Sequence, residues 1–217
     1  MLLFELTHPT LRLAVVTAER VTPGASSAEL LAELERASLR VRADPSAFAE
    51  PVRVAVRDVL RVGGYKPTGR GKPASELLLA LAQRGELPRI NNLVDANNLA
   101  SLESALPISI FDAHRLGSDL AVRYGRPAEE YVFNPAGHSM AIEGLPVVCR
   151  SPSRQPVGNA VRDSMLCKVD ASTRSVVAVL YGSSLLADGV LMAGALRLKT
   201  LLREHAGAEG AAITLLP

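Results

Sequence analysis

Apolar residues follow two rhythms along this chain. Near its start, the apolar runs Leu2–Leu6 and Leu11–Val16 flank the turn-like His8-Pro9, which predicts two short strands. The rhythm then becomes helical. Leu30, Leu31, Leu34 and Ala37 recur on one face behind a capping box of Ser26 and Glu29. Pro51 suits the first turn of a second helix, with Val52, Val56, Val59 and Leu60 on one side and Gly63-Gly64 as its stop. Ser75 to Arg84 reads as a third helix with Gly85 as C-cap. A fourth begins near Val94, carries Leu99 and Leu102, and is closed by Pro107.

Strand patterns take over after it. Ile108–Phe111 is an apolar run; Leu120, Val122 and Tyr124 alternate, as do Tyr131 and Phe133; Val147-Val148-Cys149 follows Pro146. Val176–Leu180 is continuously apolar, the pattern of a strand buried on both faces. Ala187 to His205 predicts a long closing helix. Strand clusters flanked by helices, without regular β-α alternation, predict an α+β fold. One domain over 1–217 is expected: strands and helices over 1–60, a core over 61–183, and a C-terminal helix over 184–217.

Composition narrows the function. Hydrophobic residues are 48% of the chain, enough for a packed core. A net charge of +2 argues against a wide basic face for nucleic acid and gives no reason to expect a DNA partner, while leaving room for a local patch. With no Trp, four Phe and four Tyr, there is little material for base stacking. Cys149 and Cys167 fit no metal spacing or disulfide framework and read as buried or free thiols. His8, His114, His138 and His205 share no ligand spacing, so neither metal nor cofactor is expected. No basic leader or apolar run of ~18 residues is present, which predicts a cytoplasmic protein without membrane contact.

The densest polar stretch is Asn91-Asn92-Leu93-Val94-Asp95-Ala96-Asn97-Asn98, with four asparagines and an aspartate in eight residues. Such side chains compete with the backbone for hydrogen bonds, so they either cap a helix or line a pocket. Both readings stand open. Before it, Tyr65-Lys66-Pro67-Thr68-Gly69-Arg70-Gly71-Lys72-Pro73 is a Gly/Pro loop with three cations. It lacks the Lys-Ser/Thr ending of a nucleotide loop and follows a helix, so Lys66, Arg70 and Lys72 read either as a solvated loop or as contacts for RNA phosphates. Gly137-His138-Ser139-Met140-Ala141 approaches a serine-hydrolase elbow, with Asp163 or Asp188 and His205 downstream. Ala141 replaces the final Gly, and Gly144-Leu145-Pro146 leaves no room for the helix that must follow. Gln155-Pro156-Val157-Gly158-Asn159 and Arg162-Asp163 form a polar loop able to present backbone N–H groups.

Arg89-Ile90-Asn91-Asn92-Leu93-Val94-Asp95-Ala96-Asn97-Asn98, then Leu106-Pro107 and Phe111-Asp112, resembles the editing module of the bacterial phenylalanyl-tRNA synthetase beta subunit. That module carries "INNVVDVTNY" followed by "QPLHAFD" at the same spacing, and free-standing relatives of it share a basic Lys-Pro segment upstream. The resemblance implies sandwich-like sheets flanked by helices, and hydrolysis of tyrosine wrongly joined to the phenylalanine tRNA. The family's pocket Thr-Asn falls on Asn97 and Asn98, and its His falls on Ser109. Asp170-Ala171-Ser172-Thr173 matches the "EDT" before the last pocket strand, but Val176–Leu180 lacks the acid that reads the tyrosine hydroxyl.

The resemblance therefore implies a trans-editing deacylase acting on the aminoacylated 3′ end of a tRNA, with no amino acid or oligomeric state specified. Asn97, Asn98 and Ser109 are the expected catalytic residues, Asn91, Asn92, Asp95, Gly158 and Asn159 the substrate-binding ones, and Lys66, Arg70 and Lys72 the RNA contacts. An aminoacyl ester is already activated, so a positioned water and donors to the oxyanion suffice, with help from the terminal ribose hydroxyl. The rivals are a tRNA- or amino-acid-binding module without catalysis and, from the elbow, a serine hydrolase at Ser139.

Overall fold

The computed structural model describes residues 2–4, 7–44, 49–187 and 189–216. Its first half runs β1 (Leu2–Phe4), β2 (Leu11–Glu19), α1 (Ala28–Ala43), α2 (Glu50–Arg61), α3 (Ala74–Arg84) and α4 (Asn92–Ser104). Then follow β3 (Ile108–Asp112), α5 (Ala113–Leu116), β4 (Leu120–Tyr124), β5 (Glu130–Val132), β6 (Ser139–Ala141), β7 (Pro146–Arg150) and β8 (Gln155–Gly158). A 3-10 turn at Met165–Cys167 leads into β9 (Ser175–Ser183), α6 (Val190–Ala206) and β10 (Glu209–Leu216).

The strands form two four-stranded sheets, in orders β1-β4-β7-β8 and β10-β2-β9-β3, with β5 and β6 as a separate ribbon. The second sheet is the middle layer. Its Leu11, Leu13, Val15, Phe111, Val179 and Tyr181 pack with Val122, Val147, Val148 and Cys149 of the first sheet. The alternate residues Ala14, Val16, Ile108, Ile110, Val176, Ala178 and Leu180 pack with α1, α4 and α6. Covering on both faces explains the unbroken apolar run at Val176–Leu180. The fold is α+β: a sandwich of sheets with α1, α4 and α6 on one outer face.

Four details depart from the sequence pattern. Ser27, not Ser26, caps α1, its Oγ accepting from Leu30 N at 3.2 Å, because Ser27 holds the extended backbone of an N-cap. Gln155–Gly158 is the edge strand β8 and not a loop; Pro156 is tolerated there because an edge needs fewer ladder donors. Gly207 ends α6 with φ 65°, and the rest of the chain returns as β10 beside β2, where the pattern predicts only a C-terminal helix. Gly137–Ala141 leads into the β5–β6 ribbon, not a strand–turn–helix. Ser139 donates to Glu130 there at 3.0 Å while His205 lies 3.2 Å from Ser27, so the hydrolase elbow does not form. Glu5 and Leu6 of the first expected strand, and Asp188, lie outside the described residues.

Candidate functional site

The asparagine stretch builds the start of α4. Asn91 is its N-cap, accepting from Val94 N at 2.9 Å. Asn92 is buried and uses both ends of its amide. Its Nδ2 donates to the carbonyls of Thr22 and His205, each at 2.9 Å, and its Oδ1 accepts from Gly24 N at 2.9 Å. Asp95, also buried, accepts from Ile90 N at 3.0 Å and from Ser26 Oγ at 2.6 Å. Asn97 Nδ2 donates to the Ile108 carbonyl at 3.1 Å, while its Oδ1 is buried with no partner among the described residues. Asn98 is buried one position on. The polar atoms of Asn91, Asn92 and Asp95 are thus engaged with loops around α4, and α4 lies on the helical side of the middle sheet.

Ser109 faces the other way. Strand alternation sends Ile108 and Ile110 toward α4 and turns Ser109 and Phe111 toward the first sheet. There Ser109 Oγ donates to Asp163 Oδ1 at 2.6 Å, with the Tyr181 hydroxyl 3.1 Å from the same Ser109 oxygen. Asp163 comes from the loop after β8, which Asn159 holds in shape. Asn159 Oδ1 accepts from Val161 N at 2.7 Å and Arg162 N at 3.1 Å, and its Nδ2 donates to the Tyr131 hydroxyl at 2.5 Å. Tyr131 donates in turn to the Arg162 carbonyl at 2.5 Å. Gly158 is required here. A Cβ at that position would stand 2.4 Å from Asp163 Oδ1 and 2.4 Å from Phe111 Cζ. The middle sheet therefore separates Ser109, Gly158 and Asn159 from Asn91, Asn92, Asp95, Asn97 and Asn98.

Electrostatics single out this loop. Asp163 retains some solvent-exposed surface, yet dense protein around it pushes its carboxyl up to about 7, against the opposing effects of the Ser109 hydrogen bond and the Lys168 charge. Burial pulls Lys168 below its ordinary value, with Asp163 acting the other way. The Tyr131 and Tyr181 phenols are pushed well up, first by burial and then by the Asp163 carboxylate. Lys168 also donates to the Phe133 carbonyl at 2.7 Å, and the Arg162 guanidinium lies 4.8 Å from the Phe133 ring centre. The sequence marked Asp163 within a polar loop and as a candidate acid of the hydrolase elbow; Tyr131, Tyr181 and Lys168 carry no local motif and were missed. Among the described residues, no group of three His, Cys, Asp or Glu side chains is placed to hold a metal ion. Nor, among them, is any helix long and apolar enough to cross a membrane.

The basic loop abuts the same region. Lys66, Arg70 and Lys72 are exposed and make no ion pair among the described residues. The segment is held from both ends. Arg57 of α2 grips the buried Glu76 of α3 through two bonds of 2.6 and 2.5 Å, and Ala74 N donates to the Ala160 carbonyl at 2.8 Å. Tyr65, at the start of this loop, has its phenol pushed up by burial, with the Arg162 charge acting the other way.

Comparison with known proteins gives three findings. A model of the B3/4 domain matches residues 57–184. An N-terminal fragment of the phenylalanyl-tRNA synthetase beta-subunit from Pyrococcus horikoshii aligns structurally with a TM-score of 0.48 and 11% identity. The alignment covers 100% of this chain and 53% of that one, so the chain spans about half the fragment's length. No curated protein sequence matches the chain.

Proposed function

The chain belongs to the B3/4 domain family, a family of phenylalanyl-tRNA synthetase beta-subunit domains, and on that premise we propose that it is a trans-editing deacylase that hydrolyses the ester of a mischarged aminoacyl-tRNA. One observation carries the reading. The exposed cations Lys66, Arg70 and Lys72 stand on a loop tied by the Ala74–Ala160 hydrogen bond to the segment that brings Asp163 to Ser109. Phosphates of the acceptor end held by the cations would leave the aminoacyl ester at the second loop. There the loop after Gly158, with its Asp163 carboxyl held by Ser109, is the polar group that meets the ester. Asn97 serves from behind β3, fixing the Ile108 carbonyl one residue before Ser109. Asn98, Asn91, Asn92 and Asp95 shape the helix that backs it.

A second reading, tRNA or amino-acid binding without catalysis, is favoured by the acid-free Val176–Leu180 strand and by the burial of Ser109, which is 1% exposed. Incubating the purified protein with a panel of misacylated tRNAs decides between them. Deacylase action shortens the ester half-life for one amino acid relative to buffer. Binding of tRNA with unchanged half-lives throughout the panel supports the second reading and overturns the first.

A further inference from the structure

A positioned water attacks an ester faster when a base takes its proton, and no acid–base pair stands out in the sequence. The loop after β8 supplies a carboxyl in a built setting. Gly158 leaves the space that the Asp163 carboxyl fills, since any Cβ there would stand 2.4 Å from Oδ1. Ser109 donates to that oxygen at 2.6 Å and Tyr181 backs Ser109 at 3.1 Å. Asn159 fixes the loop through Val161 N, Arg162 N and the Tyr131 hydroxyl. Among the residues of this cluster Asp163 keeps solvent-exposed surface, while Ser109, Asn159, Tyr131 and Tyr181 are buried. This is a carboxyl oriented from the inside, on a residue that keeps part of its surface exposed.

We infer that Asp163 is the general base of the proposed ester hydrolysis, with Ser109 and Asn159 as the residues that position it. The inference rests on the deacylase reading. The Asp163 carboxylate takes a proton from water as the water oxygen bonds to the ester carbonyl carbon. When the tetrahedral intermediate collapses, the bond from that carbon to the ribose oxygen breaks, and protonated Asp163 returns its proton to the ribose oxygen. Free amino acid and uncharged tRNA leave, and one water is consumed. A carboxyl that ionises near 7 is poised for both steps, whereas an ordinary carboxylate is too weak a base. The groups facing it are Tyr131 from β5, Tyr181 from β9, Cys167 of the 3-10 turn and Lys168 after it. Lys168 is the positive one and favours ionised Asp163.

The test is the single-turnover rate of ester hydrolysis as a function of pH for wild type, Asp163→Asn and Ser109→Ala, with thermal melts and tRNA binding measured on each. The wild-type rate rises with pH to a plateau above about 7, and Asp163→Asn lowers the plateau by about 10²–10⁴-fold while still binding tRNA. Ser109→Ala moves the midpoint to higher pH, because the hydrogen bond that lowers the Asp163 value is gone; a purely structural role would not move it. Should Asp163→Asn fold poorly, the midpoint shift of Ser109→Ala still decides. Wild-type turnover with an unchanged Asp163→Asn rate overturns the base assignment and leaves the deacylase reading standing. No turnover by wild type on any ester overturns both.

Discussion

The Ser109 hydroxyl meets the Asp163 carboxyl at 2.6 Å across 54 positions of sequence. The meeting has a pH signature in stability. In the fold the Asp163 carboxyl ionises near 7, against an ordinary 3.8, chiefly because of burial. A raised acid value means the protonated form favours folding. Its contribution is complete below about pH 4 and is lost as pH rises toward 7, by about 1.4 kcal/mol for each pH unit crossed. Asp163→Asn escapes the loss. Thermal melts should show the variant gaining on wild type by about 1–3 kcal/mol between about pH 5 and pH 8. A constant difference across that range would contradict the value near 7.

Gly158→Ala places a methyl 2.4 Å from both Asp163 Oδ1 and Phe111 Cζ. Phe111 is fully buried and cannot swing away. The expected cost is about 1–3 kcal/mol, read as a lower denaturant midpoint at unchanged slope.

Asn92→Ala removes donors to the Thr22 and His205 carbonyls and the acceptor for Gly24 N. Leaving those groups unpaired should cost about 2–4 kcal/mol. Asn91→Ala removes a single cap bond and should cost about 1 kcal/mol. Chemical denaturation of the two variants side by side checks the order.

Replacing Lys66, Arg70 and Lys72 together by Ala should leave the melting temperature near that of wild type, since all three are exposed. The salt dependence of tRNA binding should flatten, with the log–log slope falling by about 2–3. An unchanged slope would remove this loop from the RNA interface.

Periodic apolar residues announced most of this fold. Val52, Val56, Val59 and Leu60 are buried on one face of α2, and Val176–Leu180 lies in a strand covered on both faces. β10 was hidden because Ala211, Ala212, Ile213, Leu215 and Leu216 are broken only by Thr214, so residue type does not alternate along the strand. The candidate site was legible in part. Ser109, Gly158 and Asn159 stood out by resemblance or as a polar loop, and the structure brings them together. Tyr131, Tyr181 and Lys168 join them only through tertiary packing between strands far apart in sequence, which no local spacing encodes. The asparagine run was ambiguous for a physical reason: a side chain that caps a helix and one that lines a pocket look alike until its partners are known. Asn91 and Asn92 spend their hydrogen bonds on backbone groups.

The measurement closest to the central claim is the half-life of mischarged aminoacyl-tRNA esters with and without the purified protein, taken at one pH with the Lys66, Arg70 and Lys72 triple variant as control. Trans-editing predicts that one ester is lost well above its spontaneous rate and that the triple variant loses this effect at low protein concentration. Half-lives equal to those in buffer for every ester, in the presence of protein that binds tRNA, would contradict it.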